Sequence, residues 1–209
     1  MDSEDSSLDK PEFPWPQKGD QLFKADTDWW LNAGIDNWNQ DFHAYAEGYK
    51  RAADIVVEHV TANPRGGRDP IDYLVFPIVF LYRQYIELRL KEIILIGNRL
   101  EDREQGFPKH HRIDELWKHA RPILERYSAK KDDLDIVEAC IAELAKIDPD
   151  SDTFRYPVDR QGKKSIEAEQ LLINLRHLQK VMERLGSFLS SSSEYLFIQF
   201  QQKQEIEDY

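Results

Sequence analysis

The sequence predicts an all-α protein: an antiparallel, up-and-down helical bundle that follows an extended, aromatic-rich N-terminal arm. From Trp38 onward apolar residues recur every three or four positions, which is the period of an amphipathic helix, and no strand-like alternation is sustained. Before that point Pro11, Pro14 and Pro16 interrupt any helix. The chain has 209 residues, which is enough for one sizeable core.

The residues divide into an arm over 1–38, a helical bundle over 39–189 and a C-terminal helix or tail over 190–209. Proline, glycine and polar turn residues set the expected ends of the helices. The predicted helices are Asn39–Ala62, Asp69–Gly97, Arg112–Tyr127, Lys131–Ile147, Ser165–Phe188 and Glu194–Glu207. We expect the serine run Ser190–Ser193 to separate the last two.

The arm contains more aromatic residues than a solvated tail requires, including Trp15, Trp29 and Trp30. One interpretation is that these rings pack on the bundle as an extended cover, because burial of aromatic side chains contributes strongly to packing. The other places Trp29 and Trp30 at a partner or subunit interface, where tryptophan is enriched. Both interpretations remain open at this point.

Composition restricts the class of protein. The one cysteine, Cys140, excludes a disulfide within the chain and indicates a cytoplasmic protein. The apolar run Leu74–Tyr82 is well short of the roughly 20 residues that cross a bilayer, so we expect a soluble protein away from the membrane. The formal net charge of −11 argues against non-specific DNA or RNA binding, which uses many cationic contacts to phosphate.

The densest polar signal is a stripe on the second predicted helix. Arg83, Glu87 and Lys91 are four residues apart, so they share one face, and apolar residues flank that face on both sides. The stripe is either a solvated ladder of ion pairs or a partly buried set that meets a group from another element. For the second alternative, we expect the loop Phe154–Pro157 to supply that group.

Two patterns imitate metal sites. His111, Glu115 and His119 would share a face of the third helix, but this spacing is common by chance and a fourth ligand is missing. The aspartates between Asp148 and Asp159 imitate a calcium loop without its glycine or its bidentate glutamate. We therefore predict neither a metal nor a cofactor.

Three segments, taken in order, resemble one family. Phe76–Arg83 leads into Ile86–Lys91, which is similar to the Glu-Leu-x-Leu-Lys pattern in the second helix of HEPN-type domains. His111–Trp117 resembles the family's His-x-Leu-x-x-Leu helix start, and Phe154–Asp159 resembles its Arg-Tyr-Pro-Asp segment before the final helix. The resemblance covers about Asp69–Leu189, which is more than half of the chain.

The resemblance implies an up-and-down bundle, a homodimer and a role in prokaryotic defence, toxin–antitoxin or stress systems. Many such proteins are metal-independent endoribonucleases with an Arg-x(4–6)-His motif, in which histidine acts as base or acid and arginine stabilises the phosphate. After Arg155 the permitted positions hold Arg160, Gln161 and Gly162 instead of histidine. This departure predicts a HEPN-like protein without that ribonuclease chemistry.

Three functions follow as hypotheses. The first is a binding or regulatory module whose partner is a protein or RNA. The second is a metal-independent endoribonuclease with a rearranged centre, in which Arg155 holds the phosphate and His111 is the base. The third is a structural dimerisation partner that uses the arm. The candidate binding residues are Arg83, Glu87, Lys91, His111, Arg155, Tyr156 and Asp159.

Overall fold

The computed structural model describes residues 15–36, 41–62, 69–127, 129–159, 161–166 and 171–207. Their regular structure is helical, and the predicted all-α bundle is confirmed. The α-helices are α1 (Phe42–Ala62), α2 (Asp69–Leu100), α3 (Ile113–Tyr127), α4 (Lys131–Ile147) and α5 (Leu175–Glu207). Across these described ranges no β-strand forms, and Val158 and Lys164 make an isolated antiparallel bridge.

The chain divides into two compact units, Met1–Asp36 and Asn37–Tyr209. In the first unit a short 3-10 helix, Trp29–Leu31, holds two of the arm's tryptophans. The rings of Trp29 and Trp30 meet edge to face with centroids 6.0 Å apart, an arrangement that aromatic quadrupoles favour. Pro11 and Pro14, on which part of the arm prediction depends, lie outside the described residues.

The second unit is organised around α2, which packs against α1, α3 and α5. Its sequence is apolar around most of its circumference, as expected for a helix with neighbours on several sides. The helix continues through Pro77 and ends at Leu100, three residues beyond the predicted Gly97. Residues of every helix join one hydrophobic core, among them Val57, Ile93, Leu116, Ile141 and Leu189.

Two pairs of neighbouring helices are antiparallel. Tyr82 in α2 bonds Asp54 in α1, and Arg89 bonds Glu47, so α1 and α2 are antiparallel. Arg121 in α3 bonds Asp135 in α4 across the short turn between them. These two helical pairs therefore have the predicted up-and-down geometry.

α2 and α3 depart from the predicted antiparallel arrangement, because they run in the same direction. His111, just before α3, lies beside Glu87, whereas Ile123 lies beside Gly97 ten residues further along α2. The connection 101–112 folds back along α2, and the Asn98 amide donates to the carbonyls of Gln105 and Gly106 at 3.1 and 2.8 Å. This return brings the start of α3 to the middle of α2.

The final helix differs from its prediction at two points. It begins at Leu175 and not at Ser165, so the connection after α4 is long. It also continues through Ser190–Ser193, where Ser192 and Ser193 are buried and Ser190 lies 3.0 Å from the Tyr85 hydroxyl. Tertiary packing here overrides the weak helix propensity of serine. Asn39, the predicted start of the first helix, lies outside the described residues.

Within these described ranges, no helix has both the length and the apolar content that a membrane span requires.

Candidate functional site

The charged stripe of α2 is buried. Arg83, Glu87 and Lys91 expose 0, 1 and 7 % of their surface, so the interpretation as a solvated ladder is wrong. Its partners from other elements are His111, before α3, and Asp148, directly after α4. The loop Phe154–Pro157, which was expected to supply the partner group, makes none of the hydrogen bonds that the described residues form with the stripe.

Arg83 ties three elements together. Its Nη1 donates to Oε2 of Glu87 at 3.2 Å, and its Nη2 donates to the carbonyl of His111 at 2.7 Å. Its Nε donates to the carbonyl of Asp148 at 3.2 Å and lies equally close to the Oδ2 atom of that residue. All three guanidinium nitrogens therefore have protein partners, and Arg83 is occupied in holding the fold.

Glu87 is the centre of the network. Its Oε1 accepts from Nζ of Lys91 at 2.7 Å and lies 2.8 Å from Nδ1 of His111. Lys91 in turn lies 5.7 Å from the centre of the Phe107 ring, within cation–π range. A carboxylate can only accept a hydrogen bond, so the Nδ1 atom of His111 carries the proton.

The network is electrically balanced. Arg83 and Lys91 are two buried cations, and Glu87 and Asp148 are two buried carboxylates. Asp148 is fixed further because its Oδ1 accepts from the backbone NH of Thr153 at 3.0 Å. Removing a charge from water is costly unless it is paired and hydrogen-bonded. Loss of any one member would leave the opposite charge uncompensated inside the core.

His111 is the one member of this network that reaches the surface. Its side chain is 59 % exposed, and its Nε2 has no hydrogen-bond partner among the described residues. It lies on a groove of about 890 Å³, between the start of α3 and the loop after α4, which we call the histidine groove. The groove is also lined by Arg112, Lys146, Asp150, Asp152, Asp159 and Lys164.

The predicted site residues Arg155 and Tyr156 lie outside the network. Arg155 donates from Nη2 to Oδ1 of Asp152 at 2.7 Å, and its guanidinium stacks 5.6 Å from the Phe80 ring and 5.5 Å from the Tyr156 ring. A second groove of about 560 Å³ lies here, which we call the aromatic groove, and Phe76 and Lys164 also line it.

The predicted residues therefore fall into three environments. Four of them, Arg83, Glu87, Lys91 and His111, meet in the buried network, and Arg155 and Tyr156 line the aromatic groove. Asp159 lines the histidine groove, where its Oδ1 accepts from the NH groups of Gln161 and Lys163 at 2.8 and 2.9 Å and closes a turn. Arg160 lies outside the described residues.

Sequence reasoning missed Asp148 as a member of the site. In the sequence Asp148 stands out only as part of an incomplete calcium-loop pattern, and in the structure it is the second carboxylate of the buried network. Its position directly after a long amphipathic helix was the available signal, since an acid there lies at the edge of the core. Lys164 was also missed, and nothing in its sequence surroundings distinguishes it from other surface lysines.

In the histidine groove, His111 can bind a ligand and exchange a proton with it. An imidazole held at Nδ1 by a carboxylate is oriented, and its second nitrogen can accept or donate a proton. In the described part of the chain no group of three or more His, Cys, Asp or Glu side chains is placed to hold a metal ion.

Comparison of the chain with models of protein families, with curated proteins and with solved structures gave no match.

Proposed function

We propose that this protein is a HEPN-like binding module that holds RNA in the histidine groove without cleaving it. The observation that supports the proposal is the contrast within one network. Four charged side chains are buried and ion-paired with one another, while the fifth side chain, His111, is fixed at Nδ1 and remains exposed. Such a platform presents one oriented polar group to a ligand with little loss of side-chain entropy.

The histidine groove is lined by both cationic and acidic side chains, which suits a selective binding site. Arg112, Lys146 and Lys164 can contact phosphate, and the acids Asp150 and Asp159 limit the total attraction for polyanions. We expect a selective contact with a short segment, in agreement with the net charge of −11. The prokaryotic defence or stress setting that belongs to this proposal is supported by the family resemblance alone.

A second function, metal-independent RNA cleavage, is favoured by the hydrogen bond between His111 and Glu87. A general base must have a free nitrogen in the site and an orienting partner on the other nitrogen, and His111 meets both conditions. The phosphate would then be held by a groove cation. Arg155, the cation proposed from the sequence, is instead engaged with Asp152 and two aromatic rings.

The test is a combined retention and cleavage assay on pooled bacterial RNA in the presence of a chelator. The proteins compared are wild type, His111→Ala and the control His59→Ala, which changes an exposed histidine in the last turn of α1. Intact RNA retained by wild type and His59→Ala, with weaker retention by His111→Ala, supports the binding module. Shortened RNA that depends on His111 supports the second function. Identical behaviour of wild type and His111→Ala contradicts both.

A further inference from the structure

The aromatic groove differs in charge from the rest of the protein. Arg155 and Lys164 are the ionisable cations among its described lining residues, and no acidic side chain is among them. The whole chain, in contrast, carries a net charge of −11. Arg155 is paired with Asp152 at the border with the histidine groove, whereas Lys164 has no ion pair with a described residue. An anionic group in this groove would meet Lys164 with no carboxylate among the groove's own described lining residues, whereas Asp150, Asp152 and Asp159 line the adjoining histidine groove.

The groove also presents aromatic surface that the core does not use. Tyr156 is 54 % exposed, and Phe76 is also exposed although it belongs to α2. The Arg155 guanidinium lies within cation–π distance of both the Phe80 ring and the Tyr156 ring. Rings and guanidinium planes are the surfaces on which unpaired bases stack.

The two grooves adjoin each other. Both are lined by Thr153, Lys164, Ser165 and Ile166, so they share one wall. The backbone of Lys164 is held at this wall by its antiparallel bridge with Val158. A ligand that places a ring in the aromatic groove would therefore lie next to Lys164, on the wall shared with the groove that contains His111.

We propose that the aromatic groove binds a nucleobase and that Lys164 binds the phosphate attached to it. This inference rests on the proposed function, and it adds the part of the RNA that is recognised. The shared chemistry is a base joined to a phosphate, which either a free nucleotide or a unit of single-stranded RNA supplies. A volume of about 560 Å³ leaves room for such a unit.

The experiment measures fluorescence polarisation of a labelled, single-stranded oligoribonucleotide with the full chain in chelator. Unlabelled competitors are AMP, ribose 5-phosphate, the same oligonucleotide and its abasic counterpart. The variants are Tyr156→Ala, Tyr156→Phe, Lys164→Gln and His111→Ala. The control Tyr195→Ala removes another exposed tyrosine, on α5 and outside both grooves. Circular dichroism and urea midpoints establish that each variant is folded.

We expect Tyr156→Ala to weaken binding about tenfold, the usual scale for one stacked base, while Tyr156→Phe and Tyr195→Ala bind as wild type does. Lys164→Gln should weaken binding of the oligonucleotide and of its abasic form alike. Competition by AMP as well as by RNA would identify a nucleotide site, and competition by RNA alone would identify a site for a chain.

Three results would overturn the inference. Equal competition by AMP and ribose 5-phosphate would show that the base is not recognised. Unchanged binding by Tyr156→Ala, together with weaker binding by His111→Ala, would remove the base site and leave the proposed function intact. Absence of binding by wild type to every probe would contradict both.

Discussion

His111 and Glu87 form a hydrogen bond of 2.8 Å across the boundary between solvent and core. The carboxylate is buried and the imidazole is mostly exposed, so the bond fixes a surface group from inside the protein. The fold-back of the connection 101–112 makes this contact possible, because it brings His111 to the middle of α2. Any ligand of the histidine groove would therefore act on a group that is coupled directly to the core.

Glu87→Gln should destabilise the fold by about 3 kcal/mol, at the lower end of the range for breaking a buried ion pair. The amide preserves the shape of the side chain but leaves Lys91 without its buried carboxylate partner and Arg83 with Asp148 alone. Urea unfolding followed by circular dichroism measures the change.

The matched control for Glu87→Gln is Glu125→Gln, which alters an exposed partner of Arg121 on α3. Arg121 retains Asp135 and Glu138, so the urea midpoint of this variant should stay at the wild-type value. Equal midpoints for both variants would show that the buried network contributes nothing particular to stability.

Gly97→Ala should destabilise the protein by about 1–3 kcal/mol through overpacking between α2 and α3. A Cβ at position 97 would lie 2.5 Å from Cγ2 and 2.7 Å from Cδ1 of Ile123. The gain in helix propensity from glycine to alanine, about 1 kcal/mol, does not offset that clash. Thermal or urea unfolding gives the difference.

The pair Gly97 and Ile123 permits a double-mutant cycle. In an Ile123→Ala background, Gly97→Ala should cost less than it does in wild type, because the clashing atoms are gone. Gly48→Ala is the control, since a Cβ there would meet nothing within 4 Å and α1 should gain stability. A stabilising Gly97→Ala would contradict the close approach of the two helices.

The sequence predicts helices well where local signals and packing agree. α4 has the predicted ends, Lys131 and Ile147, because polar turn residues border a regular apolar face. The start of α5 was missed because the residues after Ser165 have helical composition but follow a loop that folds on itself. Ser190–Ser193 was misread because its helicity depends on contacts with distant residues such as Tyr85.

The site was predictable only in part, for a physical reason. The four-residue spacing of Arg83, Glu87 and Lys91 is a local property, so one sequence shows that they share a face. Whether that face is buried depends on where His111 and Asp148 lie in space, and this follows from the return of the loop after α2. Spacing along one helix carries no information about such a return.

Alkaline pH should destabilise the protein through Tyr82. Burial, and then the hydrogen bond to Asp54, raise the pKa of Tyr82 above its ordinary value of 10.0. Above about pH 10 the unfolded chain loses this proton while the folded protein keeps it, so the free energy of unfolding falls by about 1.4 kcal/mol per pH unit. Burial also raises the pKa of Tyr85, which adds to the decline.

Tyr82→Phe removes one of these two groups and should make the alkaline decline less steep, although it lowers stability near neutral pH by loss of the bond to Asp54. Urea unfolding at a series of pH values above 9 measures both effects. Tyr73→Phe changes an exposed tyrosine of α2 and should leave the wild-type slope. Parallel curves for wild type and Tyr82→Phe would show that Tyr82 is not responsible.

Cys140 should react slowly with a thiol reagent such as an aromatic disulfide in the folded protein. Burial, and then the charge of Glu143, raise the pKa of the Cys140 thiol above its ordinary value of 9.0, so little thiolate forms near pH 8. As the one cysteine of the chain, it gives a single reaction to follow. Labelling in concentrated urea supplies the rate for an unprotected thiol.

Glu143→Gln removes the nearby negative charge, so the pKa of Cys140 should fall and labelling at pH 8 should become faster by a small factor. Glu194→Gln, an exposed change on α5, should keep the wild-type rate. Since burial is the larger cause, both variants should still react more slowly than the unfolded chain. Labelling of folded wild type at the unfolded rate would mean that the α4 face around Cys140 opens freely, contrary to its packing.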